Sequence, residues 1–218
     1  MLDSSIIYEP HNTNLGDHFT SYCLMTILGQ RHKVAYKLGT QWFHMDYYGR
    51  FEQIDSLFTE QPYRPVFVRD PGKTKVDPWL NWCYPPLAAD AKYRWRHDRV
   101  ERTFCYQFDG ISSAEEKNPP TSLIAEIKSV LKLNGYKGIR LGAHLSLPTA
   151  AQALSTCALF VGCDSGFSHI AHSIGCPVFM YEGTLATYTT HKLKQADVFY
   201  DLPTFMMKVE HWLKLLKL

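Results

Sequence analysis

The sequence predicts an α/β protein built on a parallel sheet with helices on both faces. Short apolar runs alternate with segments of helical periodicity along much of the chain, a pattern typical of strand–helix–strand units. One run, residues 158–163, carries no polar alternation at all, as expected for a strand buried on both sides. With 218 residues, the chain has room for one large domain or two small ones.

The first half opens with a β-α-β unit. Residues 5–9 form a short apolar strand, and "HNTNLGD" is rich in turn formers. Residues 18–29 show helical spacing of apolar side chains, and residues 33–39 read as a second strand. Residues 40–103 are less regular, with a loop and a helix, a strand at "RPVFVRD" and two Pro-rich connectors that mark a domain boundary.

The second half has clearer elements. It alternates apolar strands with amphipathic or buried helices, and Ser146 and Gly135 stand where a helix N-cap and C-cap are expected. The predicted strands are 102–110, 137–143, 158–163 and 177–183, and the predicted helices are 121–135, 146–157, 165–175 and 203–218.

Composition excludes several function classes. The chain is 45% hydrophobic and 20% charged, and its net charge of +2 is too small to indicate a nucleic-acid or membrane partner. No apolar run approaches the roughly 20 residues of a membrane span, and the start lacks the pattern of a signal peptide. Six cysteines without a C-x-x-C pair read as reduced thiols. We therefore expect a cytoplasmic protein.

The stretch "CDSGFSH" offers a candidate binding site. It follows a buried strand, and ligands of open parallel sheets bind beyond the carboxyl ends of the strands. Asp164 or Ser165 can cap the next helix, Gly166 allows close approach to the backbone, and His169 can donate to an anion. A helix N-terminus suits a diphosphate. The alternative is a capped turn in which His169 has only a structural role.

The stretch "LSLPTAAQALSTCALFVGCDSGFSHIAHSIGCPVFMYEG" resembles the C-terminal domain of the heptosyltransferase family, glycosyltransferase family nine. The shared features are a leucine-led helix, a strand, an acid-Ser/Thr-Gly-x-x-His turn and a helix ending in Gly-x-Pro. The segments "FCYQFDGISSAEEKNPP" and "NTNLGDHFTSYCLMTILG" are similar to the family's Lys-bearing loop and its opening Gly-Asp loop. Lys117 lacks the tryptophan that usually follows it, and "YEGT" replaces Phe-Gly-Pro-Thr.

The resemblance implies a GT-B-like fold of two Rossmann-like parallel-sheet domains. Residues 1–103 would form a reduced acceptor domain. Residues 104–218 would form the nucleotide-sugar donor domain, with the terminal helix packing back. It also implies a glycosyltransferase that moves a sugar from a nucleotide-sugar donor to an acceptor hydroxyl, with inversion. The alternatives are a nucleotide-binding or scaffolding module without catalysis and another nucleotide-sugar enzyme.

The resemblance also assigns roles at the donor side. Lys117 would neutralise charge on the leaving nucleoside diphosphate, and Glu182 would accept hydrogen bonds from a ribose. The residues that would line the donor phosphates are Asp164, Ser165, Gly166, His169 and, with them, Thr184.

At the acceptor side, Asp17 matches the family's N-terminal aspartate. It would act as the general base that takes the proton from the attacking hydroxyl. The alternative is that Asp17 only caps the helix that begins at residue 18, which would lower its pKa and suit it less to proton transfer. Asn14 and Gly16 would shape this loop in either case.

We expect no catalytic metal and no cofactor beyond the nucleotide-sugar substrate. His169 and His172 share a helical face, but no acid or cysteine stands at a supporting spacing.

The segment "KYRWRHDRVER" bears on the acceptor. Its basic residues, Arg94 and Arg96 among them, could neutralise phosphates, and its aromatics could stack on bases. The acceptor would then be a modified base in DNA, extruded from the duplex. A different anionic acceptor, such as a glycan, or a solvated surface without a role fits the same composition.

Overall fold

The structure is a computed structural model, and it describes several separate stretches of the chain. These are residues 5–8, 16, 19, 33–37, 50–61, 66–68, 90–110, 114–183 and 196–216.

All statements about contacts and topology below concern these residues.

The smaller of two parallel sheets lies in the first half of the chain. Its strands are β1 (Ser5–Tyr8), β2 (Lys33–Lys37) and β3 (Val66–Val68), in that order, and both pairs are parallel. The predicted strands at 5–9, 33–39 and "RPVFVRD" are therefore confirmed over these residues. Gly16 and Phe19 are helical, and the remainder of the helix predicted at 18–29 lies outside the described residues.

The larger sheet belongs to the second half. Its strand order is β5-β4-β6-β7-β8, and every neighbouring pair is parallel. The parallel α/β architecture predicted from the sequence is thus confirmed, and the edge strand β8 is an element that the sequence analysis missed. The strands are β4 (Glu101–Gln107), β5 (Lys137–Arg140), β6 (Cys157–Gly162), β7 (Val178–Tyr181) and β8 (Ala196–Phe199).

Helices connect the strands and end where local signals place their caps. The Ser146 hydroxyl accepts a hydrogen bond from Thr149 N–H at 3.2 Å, and Gly135 has φ of +82°, a left-handed conformation that favours glycine. The helices are α1 (Arg50–Asp55), α2 (Ala114–Lys117), α3 (Thr121–Leu133), α4 (Leu147–Thr156), α5 (Gly166–Ile174) and α6 (Leu202–Leu216).

Two apolar clusters cover the two faces of the larger sheet. On one face, α4 and α5 pack on side chains such as Cys105 and Phe160. On the other face, α3 and α6 pack on side chains such as Phe104 and Leu159. Alternate residues of β4 and β6 thus point to opposite layers, as strand geometry requires. Both faces are buried, which explains why β6 has no polar alternation.

The terminal helix α6 docks on the sheet. Phe205, Val209 and Leu216 are buried in the cluster it shares with α3. The indole N–H of Trp212 donates a hydrogen bond to Ala158 O at 3.1 Å, and the ring lies 5.9 Å from that of Trp95. Within the part of the chain that the structure describes, no helix is long and apolar enough to cross a membrane.

The first half of the chain packs on α4 and α5 through apolar side chains. Phe19, Ile54, Leu57 and Phe58 are at most 1% exposed and belong to the same cluster as the buried residues of those two helices. A polar contact accompanies them, because the backbone N–H of Leu147, the first residue of α4, donates to the side chain of Gln53 at 2.9 Å. The two halves therefore share one core.

A buried carboxylate ties the end of this first half to the connecting segment. Asp90 is fully buried and accepts hydrogen bonds from Thr59 N–H at 3.1 Å and Glu60 N–H at 2.6 Å. The segment that follows packs on the second half through Tyr93 and Trp95. The predicted division between residues 103 and 104 falls inside β4, which begins at Glu101, and the assignment of two domains with separate roles stays a prediction.

Candidate functional site

The carboxyl end of β6 carries the Asp-Ser-Gly turn. β6 ends at Gly162, and α5 begins at Gly166. The backbone N–H of Cys163 donates to Gln107 O at 3.1 Å, so the turn starts beside the end of β4. A Cβ atom on Gly162 would lie 2.2 Å from Gln107 O, which leaves room for glycine only. The two central strands thus fix where the turn begins.

The start of α5 has an ordered cap. Ser165 is the N-cap residue, as one of the two sequence predictions had it. The Ser168 hydroxyl accepts from Ser165 N–H at 3.2 Å and donates to Ser165 O at 2.6 Å. The N-terminal end of the helix, with its positive dipole end, therefore faces the carboxyl edge of the sheet.

Three ionisable side chains meet at this turn. Lys117 Nζ lies 3.3 Å from Asp164 Oδ2, and His169 Nε2 lies 3.7 Å from Asp164 Oδ1. The three side chains are 18%, 15% and 8% exposed in the order Lys117, Asp164, His169, so solvent screens their interactions only in part. The structure brings together three residues that the sequence analysis had placed at the donor side from two separate segments.

The Lys117 segment is held from two sides. The Asn118 side chain accepts from Gly110 N–H at 2.8 Å and donates to Gly110 O at 3.2 Å. On the other side, a Cβ atom on Gly183 would lie 1.9 Å from Glu116 O, so only glycine permits this approach. The sequence analysis missed both contacts and described a loop where the structure has the short helix α2. A glycine two residues after the buried strand β7 was the available signal for the second contact.

Gly16, in the first half of the chain, lies beside the same turn. A Cβ atom on Gly16 would lie 3.0 Å from His169 Cδ2 and 3.5 Å from Gly166 Cα. Gly16 therefore forms part of the wall beside His169, and the role that the resemblance gives its loop stays a prediction. Asn14 and Asp17 lie outside the described residues.

Glu182 follows β7 on the Lys117 side. Glu182 is partly buried, and its backbone N–H donates to Phe199 O at 2.7 Å. This hydrogen bond and the contact of Gly183 with Glu116 place Glu182 at the carboxyl edge, next to α2. Thr184 lies outside the described residues.

Arg94 and Arg96 are not brought to this site. Between them, the Trp95 backbone N–H donates to Ile174 O at 3.0 Å and its indole N–H to Cys157 O at 2.8 Å. Ile174 ends α5 and Cys157 begins β6, so the two arginines lie at the opposite end of the sheet, about 16 Å away by strand length.

The aromatic residues of that segment are also placed differently from the stacking hypothesis. Tyr93 is 6% exposed, and Trp95 packs against both core clusters. Arg96 pairs with Asp98, with Nη2 2.8 Å from Oδ2. The two rings are packing residues, and stacking on bases would require them to leave the core.

Metal ligands do not gather in the described part of the chain. No group of three or more His, Cys, Asp or Glu side chains there is arranged to hold a metal ion. His172 is buried in α5, one turn beyond His169. The expectation of a metal-free site stays a prediction.

Cys163 should be inert to alkylation in the folded protein. Burial raises the pKa of its thiol to about 11, so at pH 7 about one molecule in 10⁴ carries the thiolate. Iodoacetamide treatment at pH 7, followed by peptide mass spectrometry, should leave Cys163 unmodified until the protein is denatured. Modification of Cys163 in the native protein at the rate of an ordinary exposed thiol would contradict this.

The second half of the chain matches a known family model. Residues 117–199 match glycosyltransferase family 9 (heptosyltransferase). The matched segment runs from Lys117 through the Asp-Ser-Gly turn to the end of β8. No curated protein matches the chain.

Three solved structures are similar in fold. Glycosyltransferase TibC of enterotoxigenic E. coli, described as iron-containing and dodecameric, shows 15% identity and a TM-score of 0.55 over 81% of this chain and 57% of its own. E. coli heptosyltransferase WaaC with ADP shows 10% identity and a TM-score of 0.55 over 96% and 100%. A family 9 glycosyl transferase of Veillonella parvula shows 13% identity and a TM-score of 0.57 over 95% and 90%.

These comparisons agree with the resemblance seen in the sequence. The chain spans 57% of the length of TibC, less than two thirds. Sequence identities of 10–15% show similarity of fold alone. The family match covers the segment that carries the site. The chain is therefore similar to glycosyltransferase family 9 over residues 117–199, and its α/β fold is similar to that of the solved heptosyltransferases.

Proposed function

We propose that the chain is a glycosyltransferase that moves a sugar from a nucleotide-sugar donor to an acceptor hydroxyl with inversion at the anomeric carbon. The observation that carries this proposal is the meeting of Lys117, Asp164 and His169 at the N-terminus of α5. A lysine, a histidine and a helix N-terminus together suit the two phosphates of a donor. The family match over the same segment supports it.

The donor phosphates would bind where Asp164 now pairs with the two basic side chains. Lys117 would form charge-assisted hydrogen bonds with a phosphate oxygen and neutralise the charge that develops as the nucleoside diphosphate leaves. His169, which lies against the wall formed by Gly16, would donate from its ring to the same group. At the helix start, Gly166 would contribute its backbone N–H group and Ser165 its hydroxyl.

The transfer step is a single displacement. The acceptor oxygen attacks the anomeric carbon, the bond from that carbon to the phosphate oxygen breaks, and the nucleoside diphosphate leaves with the electron pair. Asp17 would take the proton of the acceptor hydroxyl as general base. This role follows from the resemblance, and it is supported by Gly16, its neighbour in the chain, which lies beside His169.

ADP is the first nucleotide to consider. WaaC was solved with ADP, and TibC was solved in complex with ADP-D-beta-D-heptose. Glu182, at the carboxyl edge of the sheet, would accept hydrogen bonds from the ribose hydroxyls, and Thr184 would add a contact to phosphate. The acceptor is proposed only by its chemistry, a hydroxyl presented by a glycan or by a modified base in DNA.

A thermal-shift titration with ADP, UDP, GDP, CMP and TDP tests the donor site. One nucleoside diphosphate should stabilise the wild type, by about 2.7 kcal/mol at a hundred times its Kd. Lys117→Ala should lose most of that stabilisation. Lys208→Ala is a matched control, because Lys208 also pairs with an aspartate, Asp197, at 3.5 Å but lies on α6; it should respond as the wild type does.

Two results would count against the proposal. Stabilisation by none of the five nucleotides would argue against a donor site at this turn. Binding of a nucleotide without turnover of any nucleotide-sugar, measured by product analysis over a panel of acceptors, would favour a binding module without catalysis.

A further inference from the structure

We propose that Asn118 is a positioning residue that holds Lys117 at the donor turn; this rests on the proposed function for the role of Lys117. Asn118 follows Lys117 directly, and both polar atoms of its amide bond to the backbone of Gly110, at 2.8 Å and 3.2 Å. The amide thus joins Asn118 to the backbone of Gly110. The backbone that carries Lys117 is thereby attached to Gly110, three residues beyond the end of β4.

The attachment point is itself fixed. A Cβ atom on Gly110 would lie 3.1 Å from Asn118 Oδ1 and 3.3 Å from Cys163 Sγ. Gly110 therefore lies between Asn118 and the residue that precedes Asp164. Through Gly110, the amide of Asn118 is therefore held next to the Asp-Ser-Gly turn. Asp164 of this turn pairs with Lys117 at 3.3 Å.

The opposite side of the segment is closed by backbone contact. The approach of Gly183 to Glu116 O prevents Lys117 from moving toward β7. Rigid packing holds that side, and a hydrogen-bonded amide holds the Gly110 side. A long lysine side chain loses rotamer entropy when it binds a phosphate. Because the backbone is already anchored, the entropy of ordering the backbone is not lost in addition. Supporting residues of this kind keep a binding group in place.

A double-mutant cycle tests whether Asn118 acts through Lys117. Binding of ADP, or of whichever nucleotide gives the thermal shift, is measured by calorimetry for wild type, Lys117→Ala, Asn118→Ala and the double variant. Asn118→Ala should weaken binding about three- to tenfold in the wild-type background. In the Lys117→Ala background, the same change should have no further effect.

Asn134→Ala is the matched control. Its side-chain N–H also donates to a backbone carbonyl, Val130 O at 2.9 Å, but at the exposed end of α3; its removal should leave nucleotide affinity unchanged. An equal loss from Asn118→Ala in both backgrounds, or no loss in the wild type, would overturn the proposal. If Asn118→Ala does not fold, as judged by circular dichroism, Asn118→Ser takes its place in the cycle.

A second measurement does not depend on nucleotide binding. Acetylation of lysines by an N-hydroxysuccinimide ester, followed by mass spectrometry, should label Lys117 several-fold faster in Asn118→Ala than in the wild type, while Lys208 labels equally in both. Unchanged labelling of Lys117 would refute positioning even if nucleotides bind. Faster labelling in a protein that binds none of the five nucleotides would retain the positioning role and remove the proposed function.

Discussion

Replacing Asp17 with asparagine should lower the rate of sugar transfer by about 10²- to 10⁴-fold, the usual contribution of a positioned general base. The amide cannot take the proton of the acceptor hydroxyl, whereas it caps a helix about as well as a carboxylate does. The substitution therefore separates the two roles that the sequence allows for Asp17. The measurement is single-turnover transfer from the nucleotide-sugar that binds, together with nucleotide affinity, which should be unchanged.

Asp201 is an aspartate that caps a helix, and its substitution serves as the control for a capping role of Asp17. Its carboxylate accepts a hydrogen bond from Thr204 N–H at 2.8 Å at the start of α6, and the hydrogen bonds from Thr204 hold the pKa of Asp201 below its ordinary value. Asp201→Ala should lower stability above the pKa of the carboxyl and leave transfer unaffected, because this carboxylate caps α6 and not α5. Full transfer by Asp17→Asn would show that Asp17 is a cap as well and not the base.

Replacing Gly162 with alanine should lower the free energy of unfolding by about 4 kcal/mol or more, as is typical of a severe steric conflict in a core. The new methyl group would lie 2.2 Å from Gln107 O and 2.9 Å from the Phe160 ring. Since Gln107 and Gly162 are register partners on β4 and β6, the central strands of the sheet would have to separate. Denaturant unfolding gives the change in free energy.

Gly175→Ala is the control for loss of a glycine. Gly175 ends α5 with φ of +84°, and a Cβ atom there would have no neighbour within 4 Å. Gly175→Ala should therefore lower the free energy of unfolding only through the strained backbone conformation, by about 1 kcal/mol. If both variants lose the same amount of stability, the close approach of β4 and β6 at Gly162 is not the cause.

Much of the second half could be predicted because its signals are local. The buried run of β6, the cap at Ser146 and the left-handed Gly135 each depend on a few neighbouring residues. The edge strand β8 escaped prediction because it has four residues and carries the exposed Asp197. The short helix α2 escaped for the same reason of length.

The candidate site was predictable where residue type and position in a strand–turn–helix unit were enough, as for Asp164 and His169. The contacts that hold the Lys117 segment were not predictable, because Gly183 approaches the backbone of Glu116 from a distant part of the chain and the Asn118 amide bonds to Gly110 outside any helix or strand pattern. Trp95 was misread for a related reason. Among basic residues it looked like part of a surface, yet its hydrogen-bond partner Cys157 is 62 positions further on, and no local pattern reports such a contact.

The core shared by the two halves has a consequence for folding. Phe19, Ile54, Leu57 and Phe58 bury their side chains against α4 and α5 and have no equivalent partner if the second half is absent or unfolded. Losing either side would expose the apolar surface of the other. The chain should therefore unfold as one cooperative unit in a single transition. The backbone amides of the smaller sheet should then be protected from hydrogen exchange as long as the larger sheet stays folded.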